Sequence, residues 1–305
     1  MVNLKESSTL KVRLHQVRLN RDAKSIKVMV TGDWHISPII SENQANFLQE
    51  AVTQAEPDVI LLQGDIVDSP TELERETSLK KLLKELRICS QVAPTFLVLG
   101  SHDFITPREP RKVMKEFAIP RWKVLCKKCG VRLLIDEWAE LDGIRFFGAF
   151  QDEKCSTFVD KNGKLIHKDN PAAFEEFIKK FDFSNISDDK INWFLSHAPL
   201  LTPGIIEACQ KFDVMSFGHT HGGIIPRGMD EIFEKLNLHF GIISANKTLF
   251  PGKVRGAWEE DFETVIVVNP GMTGAQFCAP KIAQKFNFIK AAEVSLIEIT
   301  GKTEE

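Results

Sequence analysis

The sequence predicts an α/β fold, because short apolar runs alternate along the chain with longer amphipathic ones. The short runs span about five residues, which is typical of a buried strand and too short for a helix. A histidine or an aspartate stands just after the carboxyl end of each, the edge at which open α/β sheets bind ligands. We therefore expect one metal site where these strands end. The runs are Lys27–Thr31, Val59–Gln63, Thr95–Leu99, Ile191–Leu195 and Asp213–Phe217.

Local patterns predict the other elements in the first part of the chain. Thr9–Asn20 alternates apolar and polar residues over part of its length, which predicts an edge strand. A capping-box pattern at Ser41 and Gln44 predicts a helix that ends near Ala55. Leucines at helical spacing predict a second helix over Thr71–Arg87.

The later part of the chain is predicted to contain short strands, three helices and one inserted loop. The Asp142-Gly143 pair is a hairpin signal, and the polar segment 151–170 is expected to be the inserted loop. No internal repeat or clear linker occurs, so we expect a single domain over residues 1–305. The predicted helices are Arg108–Phe117, Pro171–Lys180 and Pro203–Lys211, and the predicted strands are Lys123–Leu125, Val131–Ile135, Trp138–Leu141, Ile144–Phe147, Leu238–Ser244, Thr264–Val268 and Val294–Ile299.

Composition limits the classes of function. With 39 Lys plus Arg against 42 Asp plus Glu, the net charge is −3. This balance argues against a dedicated nucleic-acid coat protein, although a local basic groove stays possible. The first residues lack the apolar segment of a signal peptide, and no run is long enough to span a membrane. The six cysteines are scattered and fit reduced thiols, so we expect a cytoplasmic protein with no membrane partner.

Five short motifs carry the candidate chemistry. Each alone is weak, because an isolated loop histidine is more often structural than a ligand, but all five follow strand-like runs. Residues two apart in an extended loop can reach one ion from the same face, and a carboxylate can bridge two cations with its two oxygens. Mixed carboxylate and imidazole ligands suit Mn²⁺, Fe or Zn²⁺ better than Ca²⁺. The motifs are Asp33-Trp34-His35, Gly64-Asp65-Ile66-Val67-Asp68, Gly100-Ser101-His102-Asp103, His197 and Gly218-His219-Thr220-His221.

This ordered set resembles the calcineurin-like metallophosphoesterase family, which carries D-x-H, G-D-x-x-D, G-N-H-D/E, H and G-H-x-H. The resemblance covers about Lys27 to Pro270. It implies a four-layer α-β-β-α sandwich with two divalent cations at one edge, Mn first and Fe or Zn as alternatives. It also implies hydrolysis of a phosphomonoester or phosphodiester by attack of a metal-bound hydroxide.

The resemblance further implies roles for individual residues. His102 would act near the leaving oxygen as general acid or charge stabiliser, beside the bridging carboxylate of Asp65. Either Asp68 or Asp103 would orient a histidine ring from behind, although Asp68 fits a solvated helix-start carboxylate equally well. The implied ligands are Asp33, His35, Asp65 and His221 for the first metal, and Asp65, His197 and His219 for the second.

Ser101 departs from the family pattern, because it stands where the family has an asparagine ligand to the second metal. A hydroxyl is shorter and a poorer ligand, so we expect weaker binding of that metal. Arg227, Lys253 and Arg255 are candidate phosphate contacts, with a solvated basic loop as the alternative. Two other functions stay open: a nuclease of the same fold, and a non-catalytic metal-binding scaffold weakened by Ser101.

Overall fold

The protein is a four-layer α-β-β-α sandwich, as predicted. The computed structural model describes residues 10–40, 43–108, 110–167, 169–184, 186, 189–221, 256–259, 264–272 and 292–301. Over these residues, two six-stranded sheets pack face to face, and helices cover both outer faces.

The elements in the described ranges are numbered here in chain order. The helices are α1 (Asn43–Ala55), α2 (Glu76–Val92), α3 (Lys115–Cys129), α4 (Glu153–Ser156), α5 (Pro171–Ile178) and α6 (Pro203–Ala208). Short 3-10 turns cover Pro70–Leu73 and Ser101–Asp103. The strands are β1 (Leu10–Arg18), β2 (Ile26–Thr31), β3 (Val59–Leu62), β4 (Thr95–Leu97), β5 (Val131–Leu133), β6 (Glu137–Leu141), β7 (Ile144–Gly148), β8 (Thr157–Val159), β9 (Leu165–His167), β10 (Ile191–Leu195), β11 (Val214–Phe217), β12 (Gly256–Glu259), β13 (Val265–Val268) and β14 (Ala292–Thr300).

Strand order brings the ends of the predicted strands together. The first sheet runs β1-β14-β2-β3-β4-β5, and the second runs β12-β13-β11-β10-β7-β6. Strands β2, β3 and β4 pair in parallel, as do β7, β10, β11 and β13. The predicted edge strand is β1, which lies at the edge of the first sheet. Parallel strands end at the same side of a sheet, so the loops after them meet there.

Alternation of side chains along the strands separates three apolar cores. Val28 and Val30 of β2 face the second sheet, whereas Met29 between them faces helices α1 to α3. In β10, Trp193 lies between the sheets, and Phe194 packs on the outer side under α5 and α6. Strands buried on both faces read as nearly continuous apolar runs, which is why the sequence shows both strands as mostly apolar stretches.

The region before the fifth strand was predicted wrongly. Residues 108–117 were expected to form a helix and Lys123–Leu125 a strand, but one helix, α3, covers Lys115–Cys129. Its buried side chains, at positions 118, 122, 126 and 129, recur every three or four residues, which is a helical period. The segment Lys123–Leu125 resembles a strand when taken alone, but the residues on both sides of it continue the helical period. Gly130 ends the helix with a φ of +72°, as is common at helix ends.

The segment 151–170 is more regular than the loop that was expected. It contains α4 and the β8–β9 hairpin, whose turn is held by the Asp160 carboxylate accepting backbone N–H groups of Asn162 and Lys164. The predicted strand Leu238–Ser244 lies outside the described residues. Strand β12 was not predicted, because the residues before it are rich in Lys, Arg and Gly.

Glu85 leads to a prediction about stability. Its side chain is 2% exposed on the inner face of α2, and Oε2 has no hydrogen-bond partner among the described residues. Burial raises the pKa of this carboxyl from 4.5 to about 8. The folded chain therefore binds more protons at this residue than the unfolded chain, and the free energy of unfolding falls as pH rises through that window.

We expect Glu85→Gln to be more stable than the unchanged chain by about 1–3 kcal/mol near pH 8, and to differ little near pH 5. Urea unfolding at the two pH values measures the difference. Glu76→Gln, an exposed change in the same helix, is the control. If Glu85→Gln shows the same pH dependence as the unchanged chain, the burial argument is wrong.

Candidate metal centre

The five motifs meet at the carboxyl edge of the two sheets. In the first sheet, residues 33–35 follow β2, residues 64–68 follow β3 and residues 100–103 follow β4. In the second sheet, His197 follows β10 and residues 218–221 follow β11. The loops are tied to one another, since the backbone N–H groups of residues 33 and 35 donate to the carbonyl oxygens of residues 64 and 65. The predicted juxtaposition is therefore present in the structure.

The backbone of the candidate ligands is strained. Asp33, His35, Asp65, His219 and His221 have φ values between +47° and +68°. They are five of the eight non-glycine residues with positive φ in the described part of the chain. Such conformations cost about 1–3 kcal/mol each and concentrate at functional sites. The backbone thus points to the same residues as the motifs do.

Asp33, His35 and His221 form a first cluster of potential ligands. One ligand atom of each lies within 4.8 Å of the others. The Nε2 atoms of His35 and His221 are 3.3 Å apart, and Asp33 Oδ1 lies 3.5 Å from His221 Nε2. The other oxygen of Asp33 accepts the backbone N–H of His219. Burial raises the pKa of Asp33, an effect that a nearby cation opposes.

Asp65, His197 and His219 form a second cluster with the same spacing. His197 Nε2 lies 3.1 Å from Asp65 Oδ2 and 3.1 Å from His219 Nδ1. Asp65 Oδ2 is also 3.9 Å from His35 Nε2, which belongs to the first cluster. The Asp65 carboxylate therefore lies between the two clusters.

Hydrogen bonding at His197 identifies the nitrogen that is able to bind a cation. Its Nδ1 lies 2.6 Å from the carbonyl oxygen of Gln63, and because a carbonyl only accepts, Nδ1 carries the proton of the neutral ring. Nε2 then presents a lone pair to Asp65 and His219. Three electron-pair donors that face one another in a buried site fit a bound cation, and carboxylate with imidazole is a donor set for transition metals.

The charges of the second cluster also favour a cation. Burial lowers the pKa of His197, but the Asp65 carboxylate outweighs burial and raises this pKa to about 10. Burial likewise acts against ionised Asp65, yet His197, His102 and His35 hold its pKa well below the ordinary value. The pair therefore favours one positive charge between its side chains, and a divalent cation supplies that charge in place of the ring proton.

His102 and Asp68 lie beside both clusters. The His102 backbone N–H donates to Asp65 Oδ1 at 2.8 Å. Nδ1 of the His102 ring lies 3.0 Å from the carbonyl oxygen of Asp68. The Asp68 carboxylate is 3.7 Å from His35 Nδ1 and 3.9 Å from His102 Nδ1. Asp68 is thus placed behind two rings of the centre.

Asp103 holds the loops rather than a ring. Its Oδ1 accepts the backbone N–H groups of Ile66 and Val67, and its Oδ2 accepts that of Gly100. The first two bonds join the loop after β4 to the loop after β3, and the third closes the β4 loop on itself. Burial, followed by the charge of Asp65, raises the pKa of Asp103 to about 7.

Ser101 is 2% exposed, and its Oγ has no hydrogen-bond partner among the described residues. A buried hydroxyl without a partner costs free energy, so this position is poorly satisfied by serine. An asparagine carbonyl extends further from the backbone and is a better ligand for a hard cation.

We expect Ser101→Asn to bind the weaker of two cations more tightly and to turn over substrate faster than the unchanged chain. Titration of Mn²⁺ into both proteins, followed by assay at saturating metal, measures both effects. Ser101→Ala, which removes the hydroxyl, should bind that cation no better than the unchanged chain does. Equal affinity and equal rate in Ser101→Asn and the unchanged chain would refute a ligand role at this position.

Sequence reasoning missed two residues that contact the second cluster. Gln63 contributes a backbone oxygen, for which side-chain patterns give no signal. Asp169 lies 3.3 Å from His219 Nε2 through its Oδ1, but it belongs to the segment that was set aside as a loop. The proposed phosphate contacts Arg227, Lys253 and Arg255 lie outside the described residues.

No helix in the described ranges combines the length and apolar character that crossing a membrane requires.

Among curated relatives, an uncharacterized metallophosphoesterase of Helicobacter pylori is 25% identical over 215 residues, which is 70% of this chain and 50% of the relative. One of Aquifex aeolicus is 23% identical, with 81% of this chain and 82% of the relative covered. A bovine relative, covered over 45% of its length, is named a transmembrane protein with metallophosphoesterase domain. The chain thus spans about half the length of several relatives that it matches.

Solved structures show weaker similarity. A dimetal phosphatase of Danio rerio has a TM-score of 0.42 at 12% identity, with 81% of this chain and 87% of that chain covered. The NAD nucleotidase of Haemophilus influenzae has a TM-score of 0.44 at 14% identity, with 83% and 46% covered. The model of the calcineurin-like phosphoesterase family, in contrast, matches residues 26–223, which is more than half of the chain and the range that holds all five motifs, so this chain belongs to that family.

Proposed function

We propose that this protein hydrolyses a phosphomonoester or phosphodiester with the help of two divalent cations. The observation that carries the proposal is the position of Asp65 between two clusters, 3.1 Å from His197 Nε2 and 3.9 Å from His35 Nε2. A carboxylate in that position is able to contact two cations at once. We assign the first cation to Asp33, His35, Asp65 and His221, and the second to Asp65, His197 and His219, with Ser101 as a further candidate.

Two divalent cations held by these residues would lower the pKa of a bound water and offset negative charge on the phosphoryl group. The chain's own residues hold and orient the reacting groups. The His102 ring donates the hydrogen on Nδ1 to the Asp68 carbonyl oxygen, which orients the ring, and proton donation from Nε2 requires the doubly protonated ring. We assign it the role of proton donor or charge stabiliser at the leaving oxygen, and Asp68 that of orienting the rings of His35 and His102.

A substrate panel tests the proposal. Protein purified without metal and then loaded with Mn²⁺ is assayed on p-nitrophenyl phosphate, bis-p-nitrophenyl phosphate, cyclic nucleotides and single-stranded DNA. We expect hydrolysis of at least one ester, loss of activity on chelation and recovery when Mn²⁺ is returned. Manganese is our first choice of metal, and parallel loading with Fe²⁺ or Zn²⁺ compares the alternatives.

Arg227, Lys253 and Arg255 stay proposed phosphate contacts.

A non-catalytic scaffold is the second candidate, and Ser101 is the observation that favours it. A scaffold predicts weak binding or loss of the second cation, with no hydrolysis of any panel member by the unchanged chain. Activity of the unchanged chain would exclude this role, whereas activity that appears only in Ser101→Asn would support it. The single domain over residues 1–305 and the cytoplasmic location also stay proposals; the five described cysteines are all free thiols, which fits a reducing compartment.

A further inference from the structure

Asp169 reaches the metal centre from outside the five motifs. It follows the β8–β9 hairpin and precedes α5, and its Oδ1 lies 3.3 Å from His219 Nε2. The side chain of Asp169 is 38% exposed, whereas that of His219 is 11% exposed. A carboxylate at the rim thus contacts the outer nitrogen of a candidate ligand.

The two nitrogens of His219 face different groups. Nδ1 lies 3.1 Å from His197 Nε2, inside the second cluster, and Nε2 faces Asp169. Because an ionised carboxylate only accepts hydrogen bonds, the contact favours the ring proton on Nε2. Nδ1 is then left with a lone pair that points into the cluster.

The same arrangement occurs at His197, whose outer nitrogen donates to the Gln63 carbonyl oxygen. In their neutral forms, both imidazoles of the second cluster therefore have an acceptor on the outer side and a lone pair on the inner side. We propose that Asp169 is a positioning residue, which fixes the His219 ring in the Nε2–H tautomer and prepares Nδ1 to bind the second cation. This inference rests on the proposed function, since it presupposes that cation.

The residue after Asp169 anchors it despite its exposure. The Asn170 backbone N–H donates to the carbonyl oxygen of buried Cys155 at 2.7 Å. The Asn170 side chain accepts the backbone N–H of Ala173 and caps α5. Two anchors at the adjacent residue limit the positions of the Asp169 carboxylate. A segment that carries none of the motifs thereby contributes to the orientation of a ligand.

Asp169→Ala tests the inference, because it removes the acceptor at an exposed position. Mn²⁺ is titrated into metal-free protein by calorimetry, and ¹⁵N NMR of histidine-labelled, metal-free protein reports the tautomer of His219. We expect the affinity of the weaker cation to fall by about 10- to 100-fold, the usual cost of losing an outer partner of a metal-binding histidine. The His219 signals should shift from the Nε2–H form to a tautomer mixture. Asp169→Asn keeps an acceptor oxygen and should recover part of both effects.

Glu176→Gln is the matched control, since it removes one exposed negative charge from the adjoining helix α5 and should leave metal affinity and tautomer unchanged. If Asp169 had a purely structural role, Asp169→Ala would change neither the tautomer of His219 nor the affinity of one cation selectively. If Asp169→Ala binds both cations as the unchanged chain does and keeps the Nε2–H form, the inference is overturned while the proposed function stands. If the unchanged chain itself fails to bind two cations, the proposed function is overturned and the inference with it.

Discussion

Asp65→Asn is expected to abolish phosphoester hydrolysis and to reduce the number of cations bound per chain. The amide keeps the size of the side chain but replaces one carboxylate oxygen by an NH₂ group and removes the negative charge. Because Asp65 lies between the two clusters, both proposed cation sites lose a ligand. The loss of turnover should exceed the about 10- to 100-fold that removal of an outer hydrogen-bond partner costs.

The measurement combines elemental analysis of metal per chain with the rate on the best ester of the panel. Asp58→Asn is the matched control. Asp58 is exposed and lies just before β3, at the end opposite to Asp65, and its carboxylate accepts the backbone N–H of Lys27. That variant should keep metal content and rate. If Asp65→Asn retains two cations per chain and a normal rate, the shared carboxylate is not the centre of the site.

The local pattern was sufficient to predict the strands that carry the motifs. Residues 59–62 are all apolar, and residues 191–195 are apolar except Asn192, because each strand lies between two cores. The sequence shows this burial directly. The contacts among the five loops follow once the strands are parallel. The roles of the residues in those loops stay predictions until metal and activity are measured.

Features that depend on distant pairing were not predictable in the same way. Strand β14 inserts between β1 and β2, pairing in parallel with one and antiparallel with the other. A window of ten residues does not encode a partner that follows hundreds of residues later, as Ala292 follows its partner Leu10. Asp169 is a similar case, since a single aspartate in a polar segment has the composition of any loop, and only the path of the β8–β9 hairpin brings it to His219.

Three glycine variants are expected to separate two reasons for a glycine: a backbone conformation that other residues adopt with strain, and close packing that leaves no room for a Cβ. Gly143 in the β6–β7 turn has a φ of +85° and open space where a Cβ would lie. Gly100 has an ordinary φ of −97°, but a Cβ there would lie 2.3 Å from Asp65 Oδ1 and 2.8 Å from His197 Cε1. Gly64 combines a φ of +81° with a Cβ position 2.3 Å from the backbone nitrogen of Gly100.

Gly143→Ala should therefore lower the free energy of unfolding by about 1–2 kcal/mol through backbone strain alone. Gly100→Ala should lower it by about 1–3 kcal/mol through crowding, and it should also weaken cation binding, because relief of the contact displaces Asp65 or His197. Gly64→Ala should be the most destabilising of the three, since strain and crowding act at one residue.

Urea unfolding of metal-free protein, with Mn²⁺ titration of each variant, measures both quantities. The informative comparison is between Gly143→Ala and Gly100→Ala. If both lose stability but only Gly100→Ala loses affinity for the cations, close packing of the β4 loop against Asp65 is required for the geometry of the centre. If Gly100→Ala binds cations as well as Gly143→Ala does, the loops yield without moving the ligands, and the positions of Asp65 and His197 do not depend on that contact.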